Sequence, residues 1–192
     1  MVDCRGMTFV DALHGWHDFF LLTGGGAATM LGLLFVAVSL ANGLPTLLPS
    51  RGERELFVEP ILWQFGYAFS LSACCLAPWV GQRHYGVFIF ILGVSAVVQN
   101  AWLLRGIARR HRHSVRVGLR YWLWTAVLPF CASLLLMIAG TLIWRTPRHF
   151  IGGVGIASLS LDLIGVRNTW QLVVWMMAQS VPNGGKREQS PE

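Results

Sequence analysis

Polar and apolar positions in this chain fall into blocks. Five stretches of about twenty residues, 19–40, 61–80, 86–104, 121–144 and 150–172, are almost free of charge. The hydrocarbon core of a bilayer is crossed by about 20 apolar residues in a helix. Lipid offers the backbone no hydrogen-bond partners, so a short apolar segment crosses it as an α-helix. The blocks therefore predict an all-α fold: a polytopic membrane bundle of about five transmembrane helices, forming one transmembrane domain over 1–178. The remainder, 179–192, is polar with Pro and Gly, and is predicted to be a disordered cytoplasmic tail.

The joints between blocks carry the usual punctuation. Residues 8–18, TFVDALHGWHD, mix polar and apolar positions and predict a short interfacial helix leading into the first span. Pro45 and Pro49 mark the turn after that span. Pro60 suits the first turn of the second helix, because its missing N–H needs no partner there. GQRHY and RTPRH are the two short outer connections. Between the third and fourth spans lies RGIARRHRHSVRVGLR, 105–120, with six arginines and two histidines. The fifth helix is expected to run on to about Met177, past the bilayer.

Composition sharpens this reading. The chain is 54% hydrophobic and 12% charged over 192 residues, about half the charged fraction of a soluble domain. The formal charge of +6 does not point to nucleic acid, because the basic residues sit at the ends of apolar blocks. Positive residues accumulate in cytoplasmic loops, so 105–120 is expected inside the cell. Parity then places 50–59 and the C-terminus inside and the N-terminus outside. Ten Lys or Arg fall inside and four outside (Arg5, Arg83, Arg145 and Arg148), with Arg167 within the last helix. The loop at 105–120 is expected to touch anionic lipid headgroups. The N-terminal segment carries Asp3, Asp11 and Asp18 against Arg5, whereas a cleaved signal starts with net positive charge; none is expected.

Two patterns bear on helix packing. Gly24, Ala28 and Gly32 recur every four residues along the first span, and small residues at such spacing let another backbone approach. VQNAWLL, 98–104, and VRNTWQL, 166–172, share Val, Asn, Trp and a final Leu at constant offset. Both lie toward the cytoplasmic side, predicting one leading helix followed by two like-oriented hairpins, as parallel repeats in transporters are built.

Candidate chemistry is sparse. Asp162 lies about twelve residues, or about 18 Å, into the fifth span. Ionisable groups at that depth are costly and face a bundle interior or water, so Asp162 is read either as a proton-relay or cation-binding carboxylate or as a hydrogen-bonded helix tie. Arg167 lies roughly 140° around the helix from it and is placed to snorkel toward headgroups; a bend at Gly165 would let the two approach. Asn100, Asn168 and Gln64, with Trp63, Trp102 and Trp170, form a possible polar layer near the cytoplasmic face. Its two readings are a vestibule lining, or amides tying helices together beside interfacial tryptophans.

Asp11, His14, His17 and Asp18 have the spacing D-x-x-H-x-x-H-D, with His84 and His149 expected on the same side of the membrane. Imidazole and carboxylate suit zinc, but HExxH is absent, so no metal and no cofactor is expected and His14, His17 and Asp18 are read as interfacial. Cys74, Cys75 and Cys131 are expected as buried small apolar groups; with Cys4 they give no metal-ligand spacing. No P-loop, dinucleotide fingerprint or nucleophile elbow occurs, so no enzyme is expected.

HDFFLLTGGGAATMLGLLFVAVSL, 17–40, resembles the first helix of small uncharacterised bacterial multi-pass membrane proteins, and the Asn-x-Trp-x-Leu at 168–172 is similar to their last helix. The resemblance covers about a quarter of the chain. It implies a bacterial inner membrane and no activity. Two functional expectations follow from the residues: a small transporter or channel subunit working as a homo-oligomer, or a non-transporting membrane protein that binds a partner.

Overall fold

The computed structural model describes residues 9–42, 58–78, 81–111, 123–143 and 147–180. These are helical almost throughout, with no strand among them. In chain order the elements are α1 (Phe9–His14), α2 (His17–Asn42), α3 (Glu59–Leu76), α4 (Gln82–His111), a π-helical turn (Leu123–Val127) running into α5 (Leu128–Leu142), and α6 (Pro147–Ser180). Three helical stretches are long and apolar enough to cross a membrane: His17–Leu40, Arg83–Gly106 and Leu123–Leu142. α3 and α6 are not among these three stretches; α3 carries Gln64, and α6 carries Asp162, Arg167 and Asn168.

The boundaries depart from the sequence reading in four places. The helix expected over 8–18 is interrupted, with Gly15 and Trp16 forming a turn closed by the Trp16 N–H to the Leu13 carbonyl at 3.0 Å. α3 stops at Leu76, four residues before the expected end, with Ala77 extended at φ −69° and ψ 145°. Pro78 is the cause, since its ring excludes the helical conformation from the preceding residue. α4 runs seven residues past its expected end, so the arginine-rich segment begins as helix; 112–120 lie outside the described residues. α6 continues to Ser180, and of the expected tail only the part from 181 falls outside the described residues.

Pro129 accounts for the π turn before α5. It cannot donate to the Thr125 carbonyl and its ring crowds that carbonyl, so the preceding turn widens.

Packing joins the helices into a closed order. α4 lies along α5, α5 along α6, and α6 along α3, while α3 touches α4 only slightly; α2 lies outside this group, mainly on α3. By contact, the closest pairs are α4 with α5 and α2 with α3.

Glycine explains the first of these. A Cβ at Gly93 would fall 2.7 Å from the Met137 Cα, and one at Gly140 would fall 2.7 Å from the Phe90 backbone nitrogen. The two positions lie one turn apart on each helix, so α4 and α5 cross antiparallel with backbone touching backbone. The core itself runs through Phe20, Phe65, Leu71, Ile89, Leu136, Ile151 and Leu161.

Candidate functional site

α6 touches α3, α5 and, near its start, α1 and α2, and it carries two of the seven buried polar side chains among the described residues, Ser158 and Asn168. Two packing contacts fix how it sits. A Cβ at Gly155 would meet the Trp16 ring at 2.8 Å and Phe19 at 3.2 Å, and one at Gly165 would meet the Phe65 ring at 2.8 Å. At about 100° per residue, Gly155, Ser158, Asp162 and Gly165 share a face roughly 80° wide. That face therefore looks toward the start of α2 at one end and toward α3 at the other.

Five buried side-chain oxygen or nitrogen atoms among the described residues make no hydrogen bond: Thr125 Oγ1, Ser158 Oγ, Asp162 Oδ1, Arg167 Nη1 and Asn168 Oδ1. Four of the five belong to α6. Buried polar groups in folded proteins are nearly always bonded, and an unpaired one calls for an explanation such as water or an ion.

Ser158 departs from the behaviour of its neighbours. Ser133, Ser160 and Thr169 each donate back to the carbonyl one turn earlier, at 2.7–2.8 Å. Ser158 is fully buried, yet its hydroxyl makes no such bond. Asp162, one turn further on, is half-buried and forms no ion pair among the described residues. Arg167 does not supply one: its guanidinium sits 4.2 Å from the centre of the Trp124 ring, in the π turn before α5. The approach of Arg167 to Asp162 that a bend at Gly165 would allow is not made. Gly165 admits the Phe65 ring, and the arginine stacks on the opposite side of α6.

The amide residues separate into two ties. Asn168 Nδ2 donates to Gln64 Oε1 at 3.2 Å, joining α6 to α3. Asn100 Nδ2 donates to Ser133 Oγ at 3.0 Å, joining α4 to α5, and to the Ala96 carbonyl at 2.9 Å. Trp102 and Trp170, two residues after each asparagine, are 72% and 68% exposed on the outside of the bundle. Gln64 and Asn100 thus belong to separate helix pairs and are not bonded to each other.

A relation that sequence inspection missed accompanies these ties. Gln64 lies four residues after Pro60, and Ser133 four residues after Pro129, with each proline near the start of its helix. The signal was present in the sequence but was hidden because Gln and Ser do not read as equivalents.

Where α2 meets α3, Gly24 faces Ser72, and Thr23 Oγ1 and Ser72 Oγ lie 3.0 Å apart in a buried contact. Thr23 Oγ1 also donates to the Phe19 carbonyl at 3.1 Å. Of the predicted small-residue stripe, only Gly24 packs. Ala28 is exposed, and a Cβ at Gly32 would meet nothing within 4 Å. A four-residue step turns about 40° each time, so the stripe winds off the buried seam, which follows Phe20, Thr23, Ala27 and Leu34 instead.

The remaining candidates lie elsewhere. The Gly15–Trp16 turn puts Asp11 and His14 on α1 and His17 and Asp18 on α2. His17 Nδ1 is 3.1 Å from Asp18 Oδ1, both side chains being exposed. Among the described residues no three His, Cys, Asp or Glu side chains gather into a metal-sized group. Cys74 and Cys75 are buried, with Cys75 Sγ 3.1 Å from the Tyr85 hydroxyl. Cys131, expected inside, is exposed on the outer side of α5.

Comparison of the chain with models of known families, with curated proteins and with solved structures finds no match.

Proposed function

We propose that this protein is a small multi-pass membrane protein that passes a small cation or proton across the bilayer, as the subunit of an oligomeric transporter or channel, with Asp162 as the carboxylate on the path. In this reading all five long helices span. α2, α4 and α5 present apolar sides to lipid, and α3 and α6 hold polar residues inside. The N-terminus lies outside and the C-terminus in the cytoplasm, as the arginine-rich segment indicates. The observation that carries it is the concentration of unbonded buried polar atoms on α6, Asp162 among them. A purely structural polar residue in an apolar interior finds a partner within the protein, as Gln64, Asn100 and Ser72 do; one without a partner within the chain points to water or an ion. Five helices of this size enclose little lumen, which favours an oligomer.

The internal repeat fits the same reading. The units α3–α4 and α5–α6 each offer a proline-started helix with an acceptor one turn in, and a second helix with Asn-x-Trp. The asparagine of each unit bonds the acceptor of the other. Parallel duplication of this kind is a feature of transporters. The test is flux: reconstituted protein should dissipate a cation or proton gradient across liposomes, and Asp162→Asn should stop it while the protein stays folded.

One observation favours a second reading, in which the protein binds another membrane protein and transports nothing. The outer side of α2 is open at Gly25, Gly26 and Gly32 and carries exposed Leu22 and Phe35, a shape that admits a foreign helix. Cross-linking from this face in native membranes would then trap one constant neighbour; recovery of this chain alone would count against it.

A further inference from the structure

We infer that Asp162 and Ser158 of α6, together with the Thr23–Ser72 pair from α2 and α3, form a binding site for one small hard monovalent cation, for which Na+ is the probe. The inference rests on the proposed role of Asp162 and names what it would hold.

Thr23, Ser72 and Ser158 belong at one level of the bundle, on which two registers agree, and Asp162 lies one turn, about 6 Å, further along the same face of α6. Phe65 packs at Gly165, and Gln64 bonds Asn168, three residues on; residue numbers rise on one helix as they fall on the other, so α3 and α6 are antiparallel. Ser72 lies seven residues beyond Phe65, and Ser158 lies seven residues before Gly165, so both are about 10.5 Å from that contact in the same direction. The second register runs along α2. Phe19 packs at Gly155; Thr23 is four residues past Phe19, and Ser158 is three past Gly155, a difference of about 1.5 Å. Ser158 and Asp162 lie on the face of α6 bracketed by Gly155 and Gly165, the one that looks toward α2 and α3.

The oxygen atoms are poised as acceptors. Thr23 commits its proton to the Phe19 carbonyl, so the bond between Thr23 and Ser72 takes its proton from Ser72. Ser72 Oγ is left with lone pairs and no donor. Ser158 Oγ and Asp162 Oδ1 have no partner. Ser72 and Ser158 are almost completely buried, at 1% and 0% exposure, so bulk water does not serve them.

Chemistry selects the ligand class. Hydroxyl and carboxylate oxygens are hard donors that suit hard cations and not thiophilic metals. One carboxylate contributes one negative charge; Arg167 is held against Trp124 on the far side of α6. A monovalent cation makes the site neutral, whereas a divalent ion would leave a net charge in a low-dielectric interior, which is costly.

The test uses the full-length protein in nanodiscs. Binding of 22Na+ is measured by scintillation proximity with K+, Li+, choline and proton competition, and thermal unfolding is followed in NaCl against choline chloride. The expected result is saturable Na+ binding near one per chain, a higher Tm in NaCl than in choline chloride, and at least a tenfold loss of affinity in both Asp162→Asn and Ser158→Ala. If Asp162→Asn fails to fold, Ser158→Ala and Asp162→Glu carry the same readout. Equal Tm in NaCl and choline with no saturable 22Na+ binding overturns the inference, as does undiminished binding in Ser158→Ala. The two proposals fail separately. Proton flux that depends on Asp162 without Na+ binding removes this site and leaves the transport reading. Na+ binding without flux of any ion leaves the site and removes transport.

Discussion

Asn168 donates to Gln64 across the contact of α6 with α3 at 3.2 Å, inside the bundle, and so joins two helices through a pair of buried amides. Each amide would be costly against hydrocarbon by itself, and together they satisfy part of that requirement. Double-mutant cycles put such interhelical bonds at about 0.6 kcal/mol on average and up to about 1.7 kcal/mol. Asn168→Ala and Gln64→Ala should each lower thermal stability in detergent, and the double variant should lose less than the sum by about that amount. Additive losses would show that the bond contributes nothing.

The crossing of α4 and α5 makes a sharper contrast. Gly93→Ala and Gly140→Ala each place a methyl group 2.7 Å from backbone atoms of the facing helix, and overpacking of this kind costs roughly 1–3 kcal/mol. Gly32→Ala, whose methyl meets nothing within 4 Å, should stay within about 0.5 kcal/mol of the parent, as open surface sites do. Measured unfolding of the three variants in parallel checks the crossing.

Arg167 and Trp124 form a third testable pair. A guanidinium over an indole ring contributes about 0.5–2 kcal/mol, the more so when shielded from water. Arg167→Gln and Trp124→Leu should therefore show coupled losses in a double-mutant cycle. Independent effects would mean that the arginine reaches headgroups instead.

Much of the architecture was legible from the block pattern, because an apolar run of twenty residues permits little besides helix. The interior was less so. Pro78 ends α3 early, and Gly15–Trp16 splits the predicted interfacial helix; both are local signals that the hydropathy of the surrounding segment masks. The stripe of Gly24, Ala28 and Gly32 leaves the α2–α3 seam after Gly24, because a period of four drifts off a seam whose own spacing is nearer 3.5. The glycines that bring helices into backbone contact, Gly93 and Gly140, stand alone in their helices and announce nothing by spacing. Asp162 stood out, since a carboxylate in an apolar block is conspicuous. Its relation to Ser158 and to the Thr23–Ser72 pair depends on the register of three helices, which no single segment encodes.

Orientation is checked with reporters. A fluorescent protein fused after Glu192 should fold and fluoresce in the cytoplasm, and a periplasm-dependent enzyme fused before Met1 should be active. The reverse pattern would invert the bundle and place the arginine-rich segment outside.

The most direct test of the central claim is ion flux through purified protein in liposomes, comparing the parent with Asp162→Asn under imposed Na+ and proton gradients, with monodisperse elution and retained helix content as the folding control. Flux is expected in the parent, with a loss to the level of protein-free liposomes in a folded Asp162→Asn variant. Equal flux in the two, or none in the parent, would contradict the claim.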